Sequence, residues 1–169
     1  MAMDEATADR AAAQVAPTVQ HQQPGIRTAA GPGRWHGVDV MAYKQDDAAP
    51  FRAVTRQVLF ADPRLACEWR YFEVAKDGYS TLERHDHVHA VMIHRGRGQC
   101  LVGRHIGDVA VGDLVFIPPL TWHQFRANAG DMLGFLCLVN AERDRPQLPG
   151  EEDLAALRQD SDVASFIRC

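Results

Sequence analysis

From about residue 35 onward, apolar and polar positions alternate with a period of two, in short runs separated by turn residues. Residues 38–43, 53–60, 67–75, 87–93, 100–102, 108–111, 114–117, 123–127 and 133–139 each read as a strand. The breaks between them are Asp62-Pro63, Lys76-Asp77-Gly78, Arg95-Gly96-Arg97-Gly98, Gly112-Asp113, Pro118-Pro119 and Asn128-Ala129-Gly130. Strands this short and this evenly spaced predict an all-β sandwich or barrel, in which closure removes exposed edges.

The two ends have a different texture. Residues 1–33 are rich in Ala, Gln, Thr, Pro and Gly, and we expect a flexible N-terminal arm with at most a short helix over 6–15. After the barrel segment, 34–145, comes a tail over 146–169. There Pro149-Gly150 precedes Glu151, Glu152 and Asp153, acids suited to a helix start. Leu154, Leu157, Val163, Phe166 and Ile167 then recur at roughly helical spacing, with Ser161 and Asp162 as a second cap. One or two short C-terminal helices packed outside the barrel are expected.

The chain has 169 residues and a formal net charge of −4, with arginines scattered among acids. That length fits one domain with a core large enough to need no disulfide. The charge pattern excludes a basic nucleic-acid surface. Cys67, Cys100, Cys137 and Cys169 are far apart and form no C-x-x-C pair, so they read as free thiols. No basic start leads into an apolar run and no stretch approaches membrane length, so the expectation is a soluble cytoplasmic protein with no membrane contact.

The chemistry concentrates in Leu82-Glu83-Arg84-His85-Asp86-His87-Val88-His89. On a strand, Glu83, His85, His87 and His89 share one face. Ionisable groups turned into an apolar barrel are costly without a partner, and a divalent cation is such a partner. His123, in Thr121-Trp122-His123-Gln124-Phe125, is the candidate for a further ligand from elsewhere in the chain. His21, His36, His94 and His105 lack such context and read as surface or packing residues. The run Glu142-Arg143-Asp144-Arg145 reads as surface ion pairs, with closure of Arg143 or Arg145 over a pocket as the functional alternative.

These two segments resemble the paired motifs of the cupin family, G-x5-H-x-H-x3,4-E-x6-G and G-x5-P-x-G-x2-H-x3-N. With Gly96 as anchor, His89 stands where the family has its glutamate, His85 at the second histidine and Glu83 at the first. The opening glycine falls at Asp77, one residue before Gly78. In the second motif Gly112, Pro118 and His123 match, Leu120 replaces the inner glycine, and the asparagine is displaced to Asn128. The resemblance implies a ligand set of Glu83, His85, His89 and His123, with His87 at the pocket edge as a proton carrier. A competing register pairs His85 with His87 but puts Val91 or Met92, neither a ligand, at the next position.

A cupin-type double-stranded β-helix, or jelly-roll barrel, is therefore the expected fold. One divalent transition metal (Fe, Mn, Ni, Cu or Zn) would sit in a pocket lined by Met92, Trp122, Phe125 and Phe135. The resemblance further implies a metal-dependent enzyme acting on a small organic molecule, with a dioxygenase as the leading class. A metal-assisted lyase or isomerase and a non-catalytic binding module are the alternatives, since fold does not fix function. It also implies a homodimer, with the N-terminal arm as a contributor.

Overall fold

The structure, a computed structural model, describes residues 25–44 and 50–169. The expected helix over 6–15 and most of the arm lie outside the described residues. The arm's last described part has structure: β1 (Ala29–Gly31) pairs with β2 (Arg34–Trp35) as a small hairpin. Its Trp35 ring meets Tyr71 edge-on at 5.2 Å on the outside of the barrel.

The remaining strands form one sheet: β3 (Met41–Ala42), β4 (Arg52–Ala61), β5 (Cys67–Tyr79), β6 (His89–Val102), β7 (His105–Ala110), β8 (Leu114–Ile117), β9 (His123–Ala127) and β10 (Leu133–Asn140). β5 pairs with β10, β10 with β6, β6 with β9, and β9 returns to β5 through Tyr79 and Arg126. That ring of antiparallel pairs closes the jelly-roll barrel.

Two breaks read as turns in the sequence prove to be bends within long strands. Residues 76–78 lie inside β5 and 95–98 inside β6. The first half of β6 pairs with β10 and β8, the second with β9 and β7, so this strand must turn a barrel corner. Gly96 makes the corner, with φ +68°, and a Cβ there would fall 1.8 Å from the Met132 carbonyl oxygen. A bulge in a barrel strand bends it without ending it.

Alternation along the strands sorts side chains into two faces. Phe72, Val74, Val91, Ile93, Phe125, Leu133, Phe135, Cys137 and Val139 face inward and form the main core. Phe125 stacks on Phe135 at 4.3 Å and Phe72 on Phe135 at 5.4 Å, which plugs the lumen. Helices α1 (Glu151–Leu157) and α2 (Ser161–Phe166) pack outside, where Leu157, Val163, Phe166 and Ile167 bury against Leu82 and Leu101. The cap of α2 is Asp160, one residue before the expected pair; its carboxylate accepts from the amides of Asp162 and Val163. Buried Gln124 fastens the tail, donating to the Ser80 and Arg168 carbonyls and accepting from the Arg168 amide.

Candidate metal centre

The histidine-rich segment is not the continuous strand that its alternation predicts. Glu83 and Arg84 each make one isolated bridge, to His123 and Gln147, the chain bends at Asp86 and His87, and β6 begins only at His89. The bend has a tertiary cause. The amides of Asp86 and His87 donate to the Asp144 carboxylate at 2.8 and 3.2 Å, so they are withdrawn from any ladder.

The bend nevertheless gathers the rings. His85 lies 3.7 Å from His87, 4.4 Å from His89 and 4.9 Å from His123, centroid to centroid. Two overlapping groups of potential ligand atoms result, Glu83–His85–His123 and His85–His87–His89, and His85 belongs to both. Glu83, His85 and His123 are buried, at 6%, 1% and 4% exposure.

Hydrogen bonds orient three of the imidazoles. Nδ1 of His85 meets the His87 carbonyl at 2.8 Å, Nδ1 of His123 meets the Thr121 carbonyl at 2.9 Å, and Nδ1 of His87 meets the Asp144 carboxylate at 2.6 Å. A carbonyl only accepts, so Nδ1 of His85 and of His123 carries the proton and Nε2 is left as a lone pair. Nε2 of His85 is buried and has no hydrogen-bond partner among the described residues. An orphaned buried acceptor among imidazoles fits a metal ion, and backbone oxygens behind ligating histidines are the usual way such rings are held.

Electrostatics favour the same protonation. Burial, reinforced by the neighbouring histidines His123 and His87, lowers the His85 pKa to about 4, and burial with the same kind of neighbours lowers His89 to about 2. Burial also depresses His123. Neutral imidazoles are the metal-binding form. Glu83 is held from the other side by the Lys44 ammonium, with Tyr43 Oη donating to it at 3.5 Å.

Of the residues expected to line a pocket, Phe125 and Phe135 face inward, while two lie elsewhere. Met92 is on the outer face, 46% exposed, because β6 places Val91 and Ile93 inward. Trp122 packs beneath the helices with the Arg84 guanidinium 4.4 Å over its ring. Sequence reasoning missed Lys44, Tyr43 and Asp144 because each acts across a long chain separation. Asp144, read as a surface ion-pair member, braces the bend, and Arg143 reaches Glu68 at 3.0 Å.

Both departures from the motif glycines keep a glycine-like backbone. Asp77 has φ +58° and Leu120 φ +53°, in the left-handed region, and Gly112 has φ +97°. The Leu120 amide donates to the His85 carbonyl at 2.7 Å, so this turn also ties the two motifs together.

Comparison with known proteins agrees with this fold. The cupin domain (Cupin_2) profile matches residues 70–139, which span Glu83, His85, His89 and His123. The 1-methylthio-D-xylulose 5-phosphate methylsulfurylase of Rhodospirillum rubrum is 62% identical over 134 residues, covering 79% of this chain and 86% of that protein. A crystal structure of a cupin 2 conserved barrel domain protein from Rhodopseudomonas palustris superposes with a TM-score of 0.82 at 72% identity, over 86% of this chain and 100% of that one. A cupin-2 domain from R. rubrum superposes with a TM-score of 0.76 at 58% identity, over 85% and 96%. With its closed jelly roll, its paired motifs and relatives this similar along most of its length, the chain belongs to the cupin family.

Proposed function

We propose that this protein is a metal-dependent enzyme acting on a methylthio-substituted ketose phosphate, with carbon–sulfur chemistry at the methylthio carbon. The observation that carries the metal is the buried Nε2 of His85, unpartnered among the described residues, at the junction of both ligand groups. The substrate class comes from the similarity to the R. rubrum methylsulfurylase.

Glu83, His85, His89 and His123 would hold the ion. The rings of His85 and His123 are inclined at 66° and those of His89 and His123 at 64°, angles that let lone pairs converge. His87 lies parallel to His85 within 9°, so the two rings point their nitrogens side by side and not at one point. This supports His87 as the proton carrier, with Asp144 holding its Nδ1 and its Nε2 left to exchange a proton with the substrate. A divalent ion would supply Lewis acidity toward the ketose oxygens. The chain's own part is to fix the imidazole tautomers through carbonyls, hold Glu83 with Lys44 and Tyr43, and close the lumen behind the substrate with the Phe72–Phe135–Phe125 stack.

The dioxygenase expectation is the competing reaction class on the same ligands, and oxygen dependence separates the two. Metal-reconstituted protein is incubated with 1-methylthio-D-xylulose 5-phosphate, with and without oxygen and with and without an added thiol. The thiol matters because its attack on the methylthio sulfur would form a mixed methyl disulfide and break the carbon–sulfur bond, the electron pair staying on the sugar carbon, which takes up a proton. Replacement of the substrate's methylthio proton signal by that of a released methylthio product under anaerobic conditions supports the proposal. Turnover that stops without oxygen and consumes it overturns the proposal in favour of the oxygenase.

A further inference from the structure

The inner face carries charge as well as ligands. Three neighbouring rows of side chains run across the sheet by register. Glu68, Val139, His89 and Ile117 form the first, and Val58, Arg70, Cys137 and Val91 the second. Arg56, Phe72, Phe135 and Ile93 form the third. Arg70 and Arg56 are thus diagonal neighbours on one face of an antiparallel pair, close enough for long side chains to meet. Gln57, next to Arg56, points the other way and donates to the Gly33 carbonyl of the outer hairpin, which fixes the direction of Arg56 as inward.

Arg70 is only 8% exposed. Its Nε and one terminal nitrogen bond the Glu68 carboxylate at 2.7 and 3.3 Å, and Arg143 bonds the same carboxylate at 3.0 Å. Arg56 has a buried Nε with no hydrogen-bond partner among the described residues. Among the described residues, the Glu68 carboxylate is thus shared by Arg70 and Arg143, with Arg56 next to Arg70. Burial and the neighbouring Arg70 charge both push the Arg56 pKa down. A half-buried guanidinium whose Nε lacks a partner among the described residues, set beside a second one, is an arrangement that stability alone disfavours.

The pair lies beside the metal centre on two sides. Arg70 is near enough to His89 to influence its charge, and Arg56 to Tyr43, whose hydroxyl meets Glu83. β5 and β6 flank β10 in the sheet, about 10 Å apart between backbones, so Arg70 and His89 lie on the same inner face one strand removed from each other.

We propose that Arg56 and Arg70 form an oxyanion subsite that takes the phosphate of a phosphorylated substrate whose reacting end lies at the histidine cluster. This rests on the proposed methylthio ketose phosphate reading and deepens it. Guanidinium groups match phosphate geometry, donating through two nitrogens at once, and a dianion would satisfy the stranded Arg56 donor while screening the Arg56–Arg70 repulsion. The subsite explains why a barrel this apolar keeps two arginines on its inner face.

The test uses metal-loaded full-length protein, with calorimetric titration of inorganic phosphate, xylulose 5-phosphate and xylulose into wild type, Arg56→Met and Arg70→Gln. Arg56→Met is the decisive variant, since the buried Arg56 Nε has no hydrogen-bond partner to lose among the described residues. The expected result is phosphate and xylulose 5-phosphate binding weakened about tenfold to a hundredfold, xylulose binding unchanged, and a Tm equal to or above that of wild type. Unchanged phosphate binding in Arg56→Met, or a lowered Tm with unchanged binding, overturns the subsite and makes Arg56 structural. If the methylthio substrate is turned over with the same kcat/KM by both variants, the functional reading stands and the subsite falls. If phosphate binds wild type and depends on Arg56 but the methylthio substrate is not turned over, the subsite stands and the functional reading falls.

Discussion

Asp144 offers the sharpest way to perturb the centre without touching a proposed ligand. Its carboxylate accepts from the Asp86 amide at 2.8 Å, the His87 amide at 3.2 Å and His87 Nδ1 at 2.6 Å. The His87 carbonyl in turn accepts from Nδ1 of His85, so one side chain sets the bend and, through it, the tilt of the shared ring. Hydrogen bonds to a charged acceptor contribute about 1.5–3 kcal/mol each when buried. This side chain is 34% exposed, and its three bonds share one group. Solvent screening and non-additivity bring Asp144→Ala to about 2 kcal/mol in total. For a chain of this length that lowers Tm by roughly 4–8 °C. Loss of an outer partner behind a metal ligand typically weakens metal binding about 10- to 100-fold. Thermal unfolding and competition against a chromophoric chelator measure both. Partial burial raises the Asp144 pKa, but the bonds from Asp86 and His87 outweigh it and hold the group at about 2. Because the folded pKa is depressed, the stabilisation is present above the ordinary value of 3.8 and disappears as pH falls toward 2. Asp144→Ala with wild-type Tm and metal affinity would refute the bracing role.

Other outcomes follow from the same structure. In the metal-free protein, His85 and His89 have folded pKa values below their ordinary 6.5, so the unfolded chain takes up more protons, and Tm should fall as pH drops from about 6.5 toward 4. A Tm flat across that range would contradict their burial as neutral rings. Leu120→Gly should raise stability by up to about 1 kcal/mol in chemical denaturation, since a left-handed leucine is strained; a loss of stability would show that the exposed leucine side chain is needed. We also propose that two copies pair through the outer face, where Trp69, Met92, Leu114, Phe116 and Leu138 form an exposed apolar band. Light scattering should give a dimer for wild type and a monomer for Phe116→Glu, and a monomeric wild type would dismiss the pairing.

The barrel was legible because short strand-forming runs lie between turn residues: Gly112-Asp113, Pro118-Pro119 and Asn128-Ala129-Gly130 bound the runs that become β8, β9 and β10. Its long strands were not, since Gly78 and Gly96 look the same in sequence whether they end a strand or bend one. The histidine cluster was legible as chemistry but not as conformation. Alternating residues predict a strand, and only the distant Asp144 carboxylate makes the segment bend. Met92 shows the cost of that uncertainty: the inward set of β6 is decided by where the strand starts, at His89, and a shift of one residue exchanges the faces. Arg56 and Arg70 were invisible as a pair because cross-strand neighbours carry no local signature. Asp77 and Leu120 looked like departures from the cupin pattern, yet the fold holds both in the backbone that glycine would adopt.

The central claim is that the histidine cluster holds one divalent metal through His85. Elemental analysis of purified wild type, His85→Ala, His123→Ala and His87→Ala tests it most directly. The account predicts about one transition-metal ion per chain in wild type and His87→Ala, and little in the other two, with all four barrels folded by circular dichroism. No metal in wild type after reconstitution with Fe, Mn, Ni, Cu or Zn, or full metal content in His85→Ala, would contradict it.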